Sequence, residues 1–469
     1  LLYYGLNVKE VLLLSVMPTI RTYLQQYIDE NQISINKFSD VVGINAGTIC
    51  NILSGNRPIA VQQLDRITAG MDLAEGHYYD LYIQECFDQE SPDWRRLGPL
   101  LRRCAELNRL EDVELILRYT LDNLNYIPLL FDLAEQFFEE GKKEAAILLY
   151  ENIAESERTQ HSERLALCQY RLFLLRLNDD QENNLLVATY FEPFVERLDE
   201  DYQLDAITKL LNINISLNRW DKVEQNAEKL LNKALKQYKL FGNNNCNINT
   251  INPLIFYILY AYLEFGDVYF HLGQYSKALE YVEMYATANW IEDPDKKEKI
   301  IIKQFESWAV ANRYMYQLMA GHIDILPEYV EYIAVRENEI FMGIYTILVV
   351  ANQHKLDIDN ILTRFSEHFL IKSYETPFSK KNEKVILSQY TDFTKQLALY
   401  YLRRNNPILG VDFLLNSLAS AIKINNETEI LQCMAIYEQH RYLASAQAQD
   451  TYKLLIKEVL ELNEKKVGK

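Results

Sequence analysis

Residues 40–59 read DVVGINAGTICNILSGNRPI, and within them Thr48 and Asn51 stand three apart. An Asn amide offers a donor and an acceptor together, which match the edge of an adenine, and a Thr hydroxyl can hydrogen-bond a base or touch a thymine methyl. This is recognition chemistry rather than bond-making chemistry. The same stretch also admits a plainer reading, a tight bend between two packing helices. Bond-making constellations are missing from the rest of the sequence: there is no HExxH, no GxSxG and no phosphate-binding Gly loop, and the seven His are scattered. The six Cys (Cys50, Cys86, Cys104, Cys168, Cys246, Cys433) form no CxxC pair and have no His at ligand spacing. Neither a zinc site nor a disulfide framework is indicated, so no metal, no cofactor and no enzymatic activity are expected, and a reducing, cytoplasmic compartment fits best.

The elements that must position Thr48 and Asn51 follow from apolar spacing and cap chemistry. Ile20, Tyr23, Leu24 and Tyr27 recur at helical intervals and predict a first helix. Ser34 is a suitable N-cap for a second, in which Phe38, Val41 and Val42 are expected to face inward and which Gly43 can end in a left-handed conformation. Ile44 packs under the turn. Asn45 then caps a third helix whose Ile49, Ile52 and Leu53 face the core and which stops at Gly55. A last helix over residues 61–71 contributes Leu64, Ile67 and Met71.

Short helices with a three-residue turn at Gly43-Ile44-Asn45, followed by NILSGNRPI, resemble the XRE (lambda repressor-like) helix-turn-helix family. The resemblance implies that the third helix enters the major groove by its N-terminal end, with Ala46, Gly47, Thr48 and Asn51 at the base edges and Asn45 as the cap beside them. Ser34, Lys37, Asn56 and Arg57 are the implied phosphate contacts. One feature departs from the pattern. Over residues 17–70 four basic residues (Arg21, Lys37, Arg57, Arg66) balance four acidic ones (Asp29, Glu30, Asp40, Asp65), and the reading helix carries no Arg or Lys. A single copy is expected to bind weakly, which calls for a homodimer.

With 469 residues the chain is too long for one ordinary core. Hydrophobic residues make up 49% of it, and only 15 Gly and 11 Pro interrupt it, which predicts an all-α protein. The net charge of −18 falls wholly beyond Gly70 and argues against non-specific coating of nucleic acid. The apolar run IFMGIYTILVVAN at 340–352 is shorter than the ~20 residues a spanning helix needs, so a buried helix and no membrane segment are expected. Residues 1–16 have an apolar patch without a basic start or a cleavage site, so they are read as an N-terminal extension, with Met17 the natural start, rather than as a signal peptide.

From Trp94 onward a helix, a short turn with Gly or Asn and a second helix recur. GDVYFHLGQYSKALEYV sets Gly266, Tyr269, Gly273, Tyr275 and Ala278 at the spacing of the tetratricopeptide pattern, and AEQFFEEGKKEAAILLY repeats the offsets with Ala134, Phe137, Gly141, Ala146 and Tyr150. Weaker copies turn at Asn108, Asn218, Gly321 and Asn405, since Asn and Gly tolerate a left-handed backbone. Further pairs fill 162–198, 341–370 and 427–463, giving about nine hairpins on a period of ~34 residues. The resemblance implies a right-handed α-solenoid of tetratricopeptide-like hairpins with a concave face. Taking Ala134, Leu211, Gly266 and Tyr314 as equivalent crossings, that face includes Glu135, Asp205, Asn212, Tyr260, Asp267, His271, Trp308 and Met315, with Asn312 and Asn352 nearby. Such a surface suits a peptide, and its acidity favours one carrying Lys or Arg.

A lambda repressor-like domain (17–73), a connecting helix (74–93, through Tyr78, Tyr82 and Ile83) and a repeat domain (94–469) together resemble the RNPP quorum-sensing receptors, the Rap, NprR, PlcR and PrgX group, and the related phage arbitrium receptors. The resemblance implies a peptide-responsive transcription regulator that binds operator DNA and a short signalling peptide, with the peptide held by Asn212 and its neighbours. Residues 390–462 are the expected dimerisation surface, and the irregular stretch 241–253 a loop or hinge. The alternative within the same resemblance is a Rap-like scaffold that sequesters a response regulator or phosphorelay protein under peptide control.

Overall fold

The computed structural model describes residues 18–87, 93–120, 123–159, 162–178, 180–241, 250–291, 293–369 and 383–467. These form 23 α-helices joined by short 3-10 turns, with no strand among the described residues. The chain divides into two compact units at Asp199/Glu200.

In the first unit, α1 (Ile20–Glu30), α2 (Ile35–Val42), α3 (Ala46–Leu53) and α4 (Val61–Gly70) close around Leu24, Phe38, Ile49, Ile52, Leu64 and Ile67, all nearly or wholly buried. Local chemistry sets their ends. The Ser34 hydroxyl accepts from the Lys37 N–H at 3.3 Å, and the Asn45 Oδ1 accepts from the Gly47 N–H at 2.9 Å, each satisfying an amide that the first helical turn leaves free. Between them Gly43 takes φ +65°, and the Ile44 N–H returns to the Ser39 carbonyl at 3.3 Å. Val41 corrects the expectation that it faces inward: it is 65% exposed, because Phe38 and Val42, four apart, already fill the stripe that meets α4.

The segment at 74–93 supplies α5 (Tyr79–Phe87), and its aromatic side is buried in the same core. The Tyr82 hydroxyl donates to the Ile59 carbonyl and the Tyr79 hydroxyl to Asp65, both at 2.6 Å, while the Glu85 carboxylate accepts from the Ile20 N–H at 2.7 Å, at the start of α1. The apolar cluster then runs on without a break through α6 (Trp94–Glu106), α7 (Leu110–Thr120), α8 (Ile127–Glu139), α9 (Lys143–Ser156) and α10 (Glu163–Arg176), followed by α11 (Gln181–Phe191).

The second unit holds α12 (Glu200–Ser216), α13 (Trp220–Phe241), α14 (Leu254–His271), α15 (Tyr275–Ala286), α16 (Lys296–Met319), α17 (Leu326–Ala334), α18 (Glu337–His354), α19 (Asp359–Arg364), α20 (Glu383–Arg403), α21 (Pro407–Ile424), α22 (Glu427–His440) and α23 (Ala446–Val467). From α12 to α16 each helix packs on the next. The irregular stretch expected at 241–253 lies for the most part, at 242–249, outside the described residues.

Six reversals are built alike. Asn108, Gly141, Asn218, Gly273, Gly321 and Asn405, the turn positions expected from the repeats, all have positive φ. After each, the next N–H reaches back across the turn: Arg109 to Cys104, Lys142 to Phe137, Arg219 to Asn214, Gln274 to Tyr269, His322 to Gln317 and Asn406 to Tyr401, at 2.8–3.0 Å. The left-handed residue lets the chain close this bond on a carbonyl the helix end would otherwise leave open. The apolar run at 340–352 is buried in α18 through Ile340, Ile344, Ile347, Leu348 and Val350. By length and composition α21 could also cross a membrane, yet Val411, Leu414, Leu418 and Ala421 are buried and α21 packs on α20, α22 and α23.

Gly70 ends α4 where a Cβ would collide with a Val42 methyl and reach ordinary contact with the Phe38 ring at 3.5 Å. Gly70→Ala is expected to cost about 1–3 kcal/mol in urea unfolding. Combined with Val42→Ala it should cost less than the two single changes summed, because the second removes the obstructing methyls. Additive losses would mean that α2 and α4 do not meet at this point.

Candidate functional site

Two groups of expected site residues have distinct surroundings. In the first unit, α3 is anchored by Ile49 and Ile52, both wholly buried, so the opposite flank, with Gly47, Cys50 and Asn51, faces solvent and Ala46 and Thr48 are half-buried beside it. Ser34, Lys37, Asn45, Asn56 and Arg57 are exposed around this flank. Ser34 and Asn45 are committed to their helix caps. Loop geometry sets the Arg57 position: its N–H donates to the Asn51 carbonyl at 3.1 Å, which folds residues 54–57 back over the end of α3. Arg66 donates to the Gly43 carbonyl at 3.2 Å and so braces the turn between α2 and α3.

In the second unit, the expected peptide-binding residues separate by environment. Asp205 does not face a groove: it is 6% exposed, accepting from the Tyr257 hydroxyl at 2.5 Å and the Ile251 N–H at 3.1 Å, so it ties the start of α14 to α12. Asn352 donates to the Gln396 carbonyl and to its side chain, each at 2.9 Å, and serves the contact of α18 with α20. His271 stacks flat on Trp220 with ring centres 3.9 Å apart. Glu135, in the first unit, is held by Arg171 and by the Tyr150 hydroxyl.

Asn212, Tyr260, Asp267 and Asn312 come together on α12, α14 and α16. The Tyr260 hydroxyl donates to Asn212 Oδ1 at 2.5 Å, the Tyr316 hydroxyl to Asp267 at 2.5 Å, and Asn312 to the Tyr285 hydroxyl at 2.9 Å. Trp308 and Met315 lie on the same helix as Asn312; Trp308 is 39% exposed, its ring edge-on to Phe305. Glu264, one turn before Asp267, is 3% exposed, with its Oε2 lacking a hydrogen-bond partner among the described residues. Neither carboxylate makes an ion pair among the described residues. Burial, reinforced by the Asp267 charge and opposed by the Tyr260 hydroxyl, pushes the Glu264 carboxyl up to about 8. Asp267 is pushed up to about 6 by its low-polarity surroundings against the Tyr316 hydrogen bond. A cationic group delivered here would meet the Asp267 carboxylate and favour loss of the proton from Glu264, and neither acid is neutralised by a cation among the described residues.

Sequence reasoning missed Glu264, Tyr285 and Tyr316. The repeat register singles out none of the three. The available signal for Glu264 was its place in the apolar stretch LIFYILYAYLEFGDVYF, where a Glu two residues before the crossing Gly266 has no polar face to occupy.

Because folding raises both carboxyl values, their contribution to stability is complete below about 4.5, the ordinary range of the unfolded groups, and is lost as pH rises through about 6 and then about 8. The unfolding temperature of the second unit should therefore fall between pH 5 and pH 8.5, and Glu264→Gln should flatten that decline and raise stability at the alkaline end. An unchanged slope in the variant would remove Glu264 from the account. Compared with known proteins, the chain matches no family model and no curated protein.

Proposed function

We propose that this chain is a peptide-responsive transcription regulator: α2 and α3 act as a helix-turn-helix on operator DNA, and the helical pairs that follow form a right-handed repeat array that takes a short signalling peptide. The observation that carries the reading is the exposed flank of α3. Ile49 and Ile52 hold the helix by one side, and the other side presents small residues, Gly47 and Ala46, next to Thr48 and Asn51, so that a backbone can come close to base edges. Lys37 and Arg57 border this flank as phosphate contacts.

The peptide half of the reading rests on the cluster around Asn212, Tyr260, Asn312 and the unneutralised pair Glu264 and Asp267. Asn side chains can bond a peptide backbone through both donor and acceptor, and the carboxylates suit a Lys or Arg side chain or a free amino terminus. The absence of a cation on α3 makes two-fold binding the economical solution. A cytoplasmic homodimer is proposed, and the exposed Leu431, Tyr442, Leu454 and Leu460 offer apolar surface for it. On this reading the protein has no catalytic role.

The test is capture and sequencing of genomic fragments by the purified protein at moderate salt, with and without conditioned medium from the producing cells. Enrichment of a palindromic site that changes with the medium is the expected result. Thr48→Ala with Asn51→Ala should then lose about 1–3 kcal/mol of selective binding per base contact while the fold is retained, since neither side chain belongs to the core. No enrichment under either condition would sink the DNA reading and favour a scaffold that sequesters a response regulator. Normal promoter binding by the double variant would show that α3 is not the reading helix.

A further inference from the structure

The first unit contains a cavity of about 730 Å³ between α9, α10 and α11 and the turn that follows α11. None of its lining residues belongs to α3 or to the acidic cluster of α14, and its volume lies in the range of small-molecule sites. One wall is aromatic: Phe173 and Phe191 stack with ring centres 4.6 Å apart, and Leu172 and Leu186 extend the apolar lining. Leu186, 71% exposed at the rim, adds to an apolar surface that nothing in the unit covers.

Two polar features give this cavity a chemical character. Gln169 lines it and is only 7% exposed. An amide side chain on the cavity wall can pair with a ligand that offers both an acceptor and a donor. Arg176 is paired with Glu151 and Arg158 with Glu155, whereas Arg197 makes no ion pair among the described residues and lies over the Phe194 ring at 5.7 Å. Among the described residues this leaves one uncommitted cation beside a cavity whose lining mixes apolar and charged side chains.

We propose that this cavity binds a small amphipathic carboxylate in which an apolar body, an amide and a free carboxylate follow one another, as in an N-acylated apolar amino acid. The apolar body lies against Phe173 and Phe191, the amide pairs with Gln169, and the carboxylate reaches Arg197. The ordering follows from the burial of the three partners, with the aromatic wall and Gln169 buried and Arg197 exposed.

The probe is N-octanoyl-phenylalanine, titrated calorimetrically into the full chain, against its neutral carboxamide and against octanoate, which lacks the amide. Saturable one-to-one binding of the acid is expected, at least tenfold tighter than either comparator. Arg197→Met should bring the acid down to the affinity of the carboxamide and leave the carboxamide unchanged. Gln169→Leu should weaken the acid and the carboxamide alike while sparing octanoate. Arg197 is exposed and outside the core, so its variant reports on binding even where the Gln169 variant disturbs folding. Absence of binding by the native chain, equal affinity for acid and carboxamide, or an Arg197 variant that binds as the native chain does would each overturn the proposal.

Discussion

A helix that must reverse direction leaves its last carbonyls without partners, and the rest of this protein depends on how that is resolved. At Asn108, Gly141, Asn218, Gly273, Gly321 and Asn405 one residue enters the left-handed region, and the next N–H closes on a carbonyl five residues earlier. Any side chain with a Cβ pays for this conformation, Asn less than most, so residue type at a single position decides where a helix ends. Once the ends are set, helix length decides which turns of neighbouring helices meet. Across Gly273, α14 packs on α15, and Tyr269 and Ala278 are both buried.

The same economy governs the α2 to α3 turn. Gly43 supplies the left-handed residue, Ser34 and Asn45 occupy open amides, and Arg66 takes up the exposed Gly43 carbonyl. With the backbone satisfied from within, the outer flank of α3 is left with side chains that have no structural duty. Charge divides along the chain within the first unit: the acidic residues balance the basic ones over 17–70, while the excess of negative charge lies beyond. In α14 Glu264 is withdrawn from water, and neither it nor Asp267 has an ion-pair partner among the described residues, an arrangement that costs stability unless it is discharged by protons or by a ligand.

Several features were legible in the sequence because they depend on one residue and its near neighbours. Caps at Ser34 and Asn45, the stop at Gly43, and the six left-handed turns are local matters of side-chain oxygen, missing Cβ or amide. Helical content was legible for a related reason, since apolar residues at three- and four-residue intervals with few Gly and Pro have no other regular structure to join. Val41 shows where this fails: the spacing allowed it on the buried stripe, and only the packing of α4 against Phe38 and Val42 turned it out.

The candidate sites depended on tertiary structure much more. Sequence register placed Asp205, Asn212 and Asp267 on one face, but contact with Tyr257 and Ile251 buries the first, whereas Tyr260 and Tyr316 come to the other two from different helices. The cavity at Gln169 has no sequence signature at all, because it is bounded by side chains of three helices and a turn that are only loosely spaced along the chain. By itself the sequence determined where helices begin, end and reverse, since those choices are made by short-range sterics and hydrogen bonds. Tertiary structure alone decided which carboxylates are neutralised and which polar groups stay unpaired, because desolvation is set by everything that packs around a group and not by its neighbours in the chain.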